Sequence, residues 1–246
     1  MGGREDGMLV RFIDRGGLVG ADADLVDSQV WVRSASEIGA IGLPATLTED
    51  LRRFWHGQNE ILYLTSEPIS KTHKVVKLVA ERVRGRRGLF IFGAGHVGRS
   101  IALIGTMVGL EVTLIDDRQE FLVKEGLPGC GIQLLKIDFD DIENVIALDR
   151  KSAVVIVTRG HQYDELILRQ IANYEVGYVG MIGSRRRVAG VFRRLRQDGV
   201  SESFLSSVKA PIGLDIGAKS PQEIAVAVHA EIIKHFSGMG VSVPNL

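Results

Sequence analysis

The chain has 246 residues and carries 30 acidic and 30 basic side chains, so its formal net charge is +0. This balance argues against a general electrostatic attraction to nucleic acid or to an anionic membrane surface. No apolar run reaches the roughly 18 residues of a transmembrane helix, and the first residues lack the apolar stretch of a secretory signal. Together with the single cysteine, which cannot form an internal disulfide, these features predict a cytoplasmic protein.

Residues 1–83 predict a small N-terminal α+β domain. Three short apolar segments are typical of strands, namely 8–13, 29–32 and 60–64. Gly16 and Gly17 predict a turn after the first of them. Two segments predict helices, a short one over 48–55 and a basic amphipathic one over 69–83. The polar, glycine-bearing segment 84–88 marks the boundary with a second domain over 88–246.

In this second domain, compact apolar runs alternate with amphipathic segments, which predicts a doubly wound α/β fold with a parallel sheet. Five runs of mostly aliphatic residues predict strands buried on both faces: 89–92, 112–115, 134–137, 154–158 and 178–182. The segments 97–108 and 166–174 keep the apolar spacing of helices.

The last predicted helix runs to Phe236, where Gly238 stops it, and it has the clearest start in the chain. Ser220 and Glu223 form a capping box, and Pro221 occupies the first helical position. Because apolar residues run nearly all round this helix, we expect it to be buried, with an interface between subunits as one setting for it.

A glycine-rich segment follows the first parallel strand and opens a helix: Gly93-Ala94-Gly95-His96-Val97-Gly98. In this pattern the first glycine permits a tight turn, the second lets a pyrophosphate approach the backbone, and the third allows close helix–strand packing. Asp116 ends the next strand, 23 residues beyond Gly93 and near the ~20-residue spacing of a carboxylate that binds a ribose diol. The sequence therefore predicts a Rossmann-like dinucleotide-binding loop, or a scaffold that keeps the turn without a ligand.

The residues after Asp116 leave the type of nucleotide open. A single carboxylate favours the unphosphorylated ribose of NAD, whereas Arg118 is suited to the 2′-phosphate of NADP. Asp117 is as typical of the N-cap of a helix through Phe121 as of a ligand contact.

Polar residues also lie at the carboxyl end of the fourth parallel strand, where ligands of open α/β sheets bind: Thr158, Arg159, Gly160 and His161. His161 is suited to donate to a ligand or to act as an acid or base, with Asp164 about one helical turn away to orient it. The alternative is a histidine that caps a helix on a glycine turn.

The fifth parallel strand is followed by Gly183, by Ser184 as a plausible N-cap, and by three consecutive arginines. Positive charge in the first turn opposes the helix dipole. The run therefore predicts either an anionic ligand or partner, or a solvated basic face. Arg185 is the best placed for a ligand because it adjoins Ser184, whereas we expect Arg186 and Arg187 to point progressively away.

Asp215 lies between two glycines in the irregular segment 211–217. Such a segment suits a loop pressed against a ligand or another chain, although an aspartate here is also typical of a turn.

No spacing of cysteine and histidine indicates a metal site, and no Walker loop or nucleophile elbow occurs in the sequence. Cys130 is either a reactive, persulfide-bearing residue or an inert buried one. We therefore expect no metal bound directly by the protein.

In order and in combination, these motifs resemble the XdhC/CoxI family of xanthine dehydrogenase accessory factors, and specifically its Rossmann domain. The resemblance covers about residues 60–236 and is carried by the segments 91–98, 115–118, 158–164, 177–185, 211–217 and 220–225.

This resemblance implies an assembly factor rather than an enzyme. Members of the family bind molybdenum cofactor, assist its sulfuration by a cysteine desulfurase, and deliver it to an apo molybdenum hydroxylase; homodimers are common among them. Two other functions stay open: an NAD(P)-dependent oxidoreductase with His161 as proton donor, and a regulatory module that senses a nucleotide.

Overall fold

The computed structural model describes residues 6–14, 29–57, 59, 61–65, 77–83, 85–127, 131–142 and 146–237. The chain divides into two compact units, Met1–Gly85 and Arg86–Leu246. The turn predicted at Gly16 and Gly17, the single cysteine Cys130, and the predicted stop at Gly238 lie outside the described residues.

The N-terminal unit contains a four-stranded antiparallel sheet in the order β2-β1-β4-β3. Its strands are β1 (Gly7–Asp14), β2 (Gln29–Val32), β3 (Ile61–Thr65) and β4 (Lys77–Val83). Helix α1 (Ala45–His56) covers one face, because Leu47, Leu51 and Phe54 share a core with the inward side chains of the sheet.

The basic helix predicted over 69–83 is wrong where the structure describes it, since this part is strand β4. Leu78 and Ala80 are buried on the covered face of the sheet, in the two-residue alternation of a strand. Arg82, next on that face, donates to the carbonyl oxygens of Trp55 at 3.2 Å and Gly57 at 3.0 Å. It thereby satisfies acceptors that the end of α1 leaves open. Pairing with β1 on one side and β3 on the other overrides the local helical pattern.

The C-terminal unit confirms the predicted Rossmann-like fold. Five parallel strands pair in the order β7-β6-β5-β8-β9. They are β5 (Gly88–Phe92), β6 (Glu111–Asp116), β7 (Gln133–Lys136), β8 (Ala153–Ile156) and β9 (Tyr178–Met181). The chain winds outward from β5 to β7 and then returns to β8, so the switch point lies between β5 and β8.

Helices cover both faces of this sheet. They are α2 (His96–Met107), α3 (His161–Ile171), α4 (Arg185–Gln197), α5 (Glu202–Ser207) and α6 (Pro221–Ser237). Alternate residues of β5 point to opposite faces: Phe92 belongs to the core with α3, α4 and α5, and Ile91 to the core with α2 and α6. In open α/β sheets of this kind, ligands bind at the carboxyl ends of the strands.

The capping box of α6 is confirmed, since Glu223 accepts from the backbone N–H of Ser220 at 2.8 Å and donates its own N–H to the Ser220 hydroxyl at 3.2 Å. The expectation that α6 is buried is only partly correct, because Val226 and Ile233 each keep 50% of their surface exposed. None of the described helices combines the length and the apolar character needed to span a bilayer.

Candidate functional site

Two of the three glycines in the loop after β5 are required by the packing of the loop itself. Gly93 has φ +113°, and a Cβ there would lie 2.5 Å from the carbonyl oxygen of Val157. A Cβ on Gly98 would lie 1.8 Å from the carbonyl oxygen of Gly93. These contacts are the tight turn and the close helix–strand approach that the motif predicts.

Gly95 differs, because a Cβ at this position would meet no atom within 4 Å. Its φ of −70° is one that any residue adopts, so the backbone does not require a glycine either. Gly95 is the N-cap residue of α2, where helix N–H groups lack intrahelical partners. Open space at the start of a helix, next to an exposed His96 and a half-buried Val97, is where a phosphate group fits.

Asp116 is 1% exposed and anchors the glycine loop to the end of β6. One carboxylate oxygen accepts from the N–H of Ala94 at 2.8 Å, and the other accepts from the N–H and Nε of Arg118 at 3.1 and 3.0 Å. Burial alone would raise the pKa of Asp116, but these hydrogen bonds hold it below its ordinary value. Both oxygens are engaged, so a ribose diol would reach this carboxylate only by displacing Arg118.

Asp117 does not cap a helix. The turn Gln119–Phe121 is a short 3₁₀ helix whose N-cap residue is Arg118. The carboxylate of Asp117 instead accepts from the guanidinium of Arg159 at 3.2 and 2.9 Å. Arg118, which pairs with Asp116, also stacks on the ring of Phe121, with 3.6 Å from its Cζ to the ring centre.

The polar residues after β8 form a buried network around Asp164, which is 0% exposed. Its carboxylate accepts from the hydroxyl of Thr158 at 2.5 Å and from the guanidinium of Arg187. Gly160 is the N-cap of α3 and His161 its first residue, while the side chain of His161 lies outside the described part of the structure. The predicted pairing of Asp164 with this histidine therefore stays a prediction.

At the start of α4, the hydroxyl of Ser184 accepts from the N–H of Arg187 at 3.3 Å, which confirms the predicted N-cap. Arg185 and Arg186 are exposed. The expectation for Arg187 is wrong, because its side chain turns back over Gly183 to Asp164. Helical side chains lean toward the N-terminus of their helix, and this rule identifies Arg187 as the arginine that reaches the sheet edge.

The segment 211–217 lies beside the carboxyl end of β9 and is held by a residue that sequence reasoning missed. Glu231 of α6 accepts from the N–H of Gly213 at 2.8 Å and from the hydroxyl of Tyr178 at 2.7 Å. Burial, followed by the nearby Glu231 carboxylate, raises the pKa of the Tyr178 hydroxyl. Asp215 is exposed beyond this anchor. No signal in the sequence links Glu231 to the loop, because the contact depends on how α6 packs.

Across the described ranges, no group of three or more His, Cys, Asp or Glu side chains is placed to hold a metal ion. The carboxyl edge of the sheet carries the start of α2, with open space at Gly95. It also carries three arginines that pair with carboxylates, namely Arg118, Arg159 and Arg187. Such a combination is suited to an anionic group.

Comparison with known proteins decides the family. Residues 89–232, which are more than half of the chain, match the XdhC Rossmann domain. The chain belongs to the XdhC family. This match confirms the resemblance found in the sequence, and it spans the glycine loop, the arginines of the carboxyl edge and most of α6.

Two curated relatives match part of this chain. It is 33% identical over 149 residues to uncharacterized protein YqeB of Escherichia coli, covering 61% of this chain and 27% of that protein. It is 28% identical over 161 residues to a Bacillus subtilis protein described as a probable xanthine dehydrogenase subunit, covering 65% of this chain and 46% of that protein. The chain thus spans less than half the length of either relative.

A crystal structure described as a xanthine dehydrogenase from Bacillus halodurans aligns with 95% of this chain and 90% of its own length. The TM-score is 0.57 at 16% sequence identity, so this likeness shows the fold alone.

Proposed function

We propose that the protein is a maturation factor for a molybdenum hydroxylase of the xanthine dehydrogenase type. The observation that carries the proposal is the XdhC Rossmann domain over residues 89–232. It is supported by a relative described as a probable xanthine dehydrogenase subunit. An accessory role also fits this site. The site has space to bind a ligand, and its charged groups are held by other residues of the chain, as Asp164 is held by Thr158 and Arg187.

The ligand of this site is, in our proposal, molybdenum cofactor or a dinucleotide of the NAD(P) type. Both carry phosphate groups, which the start of α2 and the open space at Gly95 accommodate. The fit to a dinucleotide is less complete, because the carboxylate of Asp116 is already bound by Ala94 and Arg118. Bound molybdenum cofactor would supply the redox-active metal, whereas this chain's residues bind and orient its phosphate end.

The same proposal includes an apo molybdenum hydroxylase as client, a cysteine desulfurase as the source of sulfur, and a homodimer in the cytoplasm. The half-exposed Val226 and Ile233 lie two turns apart on one face of α6. They support a contact with another chain, since apolar residues grouped on an exposed face are typical of interaction sites. The lone cysteine supports a reducing compartment.

The test is to identify the molecule that copurifies with the native protein from a host that makes molybdenum cofactor. We expect mass spectrometry and the fluorescence of the oxidised pterin to show pterin in the wild type and none in a folded Gly95→Val variant. Equal amounts of pterin in both proteins would exclude the glycine loop as the binding site. Sustained oxidation of NADH by added electron acceptors would show an oxidoreductase instead, and would overturn the assembly role.

A further inference from the structure

An ion pair crosses the carboxyl end of β5, directly beside the glycine loop. Asp117 is the first residue after β6, and Arg159 follows β8 by three residues. Strand β5 lies between these two strands in the sheet. Nη1 and Nη2 of Arg159 donate to the two carboxylate oxygens of Asp117 at 3.2 and 2.9 Å. The pair therefore joins the two sides of the switch point, above the strand that leads into Gly93.

Arg159 is held in place by a second contact that does not involve Asp117. Its Cζ lies 4.8 Å from the centre of the Tyr163 ring, and Nη2 donates to the Tyr163 hydroxyl at 2.8 Å. The side chain of Arg159 is 41% exposed, whereas that of Asp117 is 17% exposed. The guanidinium would thus stay at the edge of the crevice if its carboxylate partner were replaced.

Asp117 also lies near a second cation, because one of its carboxylate oxygens is 3.6 Å from Nε of Arg118. Asp117 thus lies between two arginines at the sheet edge that carries the glycine loop, and two guanidinium groups suit a phosphate as well as a carboxylate. An ion pair that is partly exposed contributes only modestly to stability, so exchanging one anion for another at Arg159 costs little.

We propose that Asp117 determines which ligands enter this site, by holding Arg159 until a phosphate group replaces its carboxylate. This inference rests on the proposed function, since it concerns the ligand of the same loop. A phosphate presents two oxygens to a guanidinium as a carboxylate does, so it takes over both hydrogen bonds. A ligand without such a group has to separate the pair and gains nothing in return. Molybdenum cofactor and NAD(P) share the required phosphate chemistry.

A second ion pair of the same kind provides a matched control. Nε and Nη2 of Arg150 each donate to Glu175 at 2.9 Å, again joining two loops. Arg150 precedes β8 and Glu175 precedes β9, so this pair lies at the amino edge of the sheet, opposite the glycine loop.

The experiment is a calorimetric titration of the full chain with inorganic pyrophosphate. We expect Asp117→Asn to bind pyrophosphate about fivefold more tightly than the wild type, because the competing carboxylate is gone. Arg159→Gln should bind about tenfold more weakly. Asp117→Asn should add nothing in the Arg159→Gln background, and Glu175→Gln should bind as the wild type does.

Two further ligands identify the source of the phosphate. If Asp117→Asn binds ADP-ribose more tightly than the wild type does, the site belongs to a dinucleotide. If it binds molybdopterin released from a purified molybdenum enzyme more tightly, the site belongs to the pterin. Either gain in affinity supports the inference. If Gly95→Val abolishes pyrophosphate binding but Asp117→Asn binds like the wild type, the inference is overturned and the ligand site stands. If Asp117→Asn lowers the melting temperature but leaves the affinity for pyrophosphate unchanged, the ion pair is only a structural link and the inference is again overturned. No binding by either the wild type or Asp117→Asn would overturn both proposals.

Discussion

The Cβ atom that Gly98 lacks would lie 1.8 Å from the carbonyl oxygen of Gly93. The two ends of the glycine loop are therefore packed against each other, and Asp116 holds the loop from a third side through the N–H of Ala94. Gly95, between them, is the position with open space around it. The loop is preformed by its own contacts and does not need a ligand to adopt this shape.

Replacement of Gly98 by alanine should destabilise the protein by about 1–3 kcal/mol or more, because an added methyl group has no room beside the Gly93 carbonyl. Chemical denaturation measures this free energy of unfolding. Gly95→Ala is the matched control and should stay within about 1 kcal/mol of the wild type. A Gly98→Ala variant as stable as the wild type would show that the loop is packed differently.

Replacement of Asp164 by asparagine should cost about 2 kcal/mol of unfolding free energy. Breaking a fully buried ion pair costs about 3–5 kcal/mol, and we expect less here because the side chain of Arg187 is 32% exposed. The control Glu175→Gln breaks a pair that is exposed on both sides and should cost under about 1 kcal/mol. Similar denaturation midpoints for the two variants would contradict the role assigned to Asp164.

Replacement of Arg185 by glutamine should leave stability unchanged or raise it slightly, because an exposed positive charge in the first turn of α4 opposes the helix dipole by ~0.3–1 kcal/mol. If Arg185 also serves an anion, the same variant should bind pyrophosphate more weakly. A melting temperature several degrees lower, with binding intact, would assign Arg185 a structural role.

Stability should fall as the pH drops below about 6.5, because of His229. Burial lowers the pKa of His229 from its ordinary 6.5, against the opposing effect of its hydrogen bond to the Ala225 carbonyl. Between the two pKa values the unfolded chain binds a proton that the folded chain does not, so folding weakens by up to ~1.4 kcal/mol per pH unit.

Unfolding free energies measured between pH 7.5 and 5 should therefore fall more steeply for the wild type than for His229→Gln. The lowered pKa of Asp116 acts in a different range, since its contribution is lost only as the pH falls below the ordinary 3.8. Parallel curves for the two proteins above pH 5 would show that His229 does not cause the loss.

The sequence predicts those parts of the fold that depend on residues close together in the chain. Buried aliphatic runs predicted the five parallel strands, and the glycine spacing predicted the loop after β5. The strand β4 was missed because its apolar spacing also suits a helix, and only its pairing with β1 and β3 decides between the two. Such pairings lie far apart in the sequence and leave no local signal.

The candidate site was predictable in position but not in its internal contacts. The spacing placed Asp116 beside the glycine loop, yet nothing in the sequence showed that Ala94 and Arg118 would occupy its oxygens. Arg159 and Asp117 are 42 residues apart, and Arg187 and Asp164 are 23 apart. Which charges pair depends on how the strand order brings their loops together, and on the direction in which each side chain leaves its helix.

The maturation role is tested by coexpressing a xanthine dehydrogenase from the same organism with this protein and measuring xanthine oxidation per mole of purified enzyme. We expect several-fold higher activity with the wild type than without it. With Gly95→Val, which should fold normally, the activity should stay near the level found without any accessory protein. Equal activation by Gly95→Val and the wild type, or no activation by the wild type, would contradict a maturation factor that binds its ligand at the glycine loop.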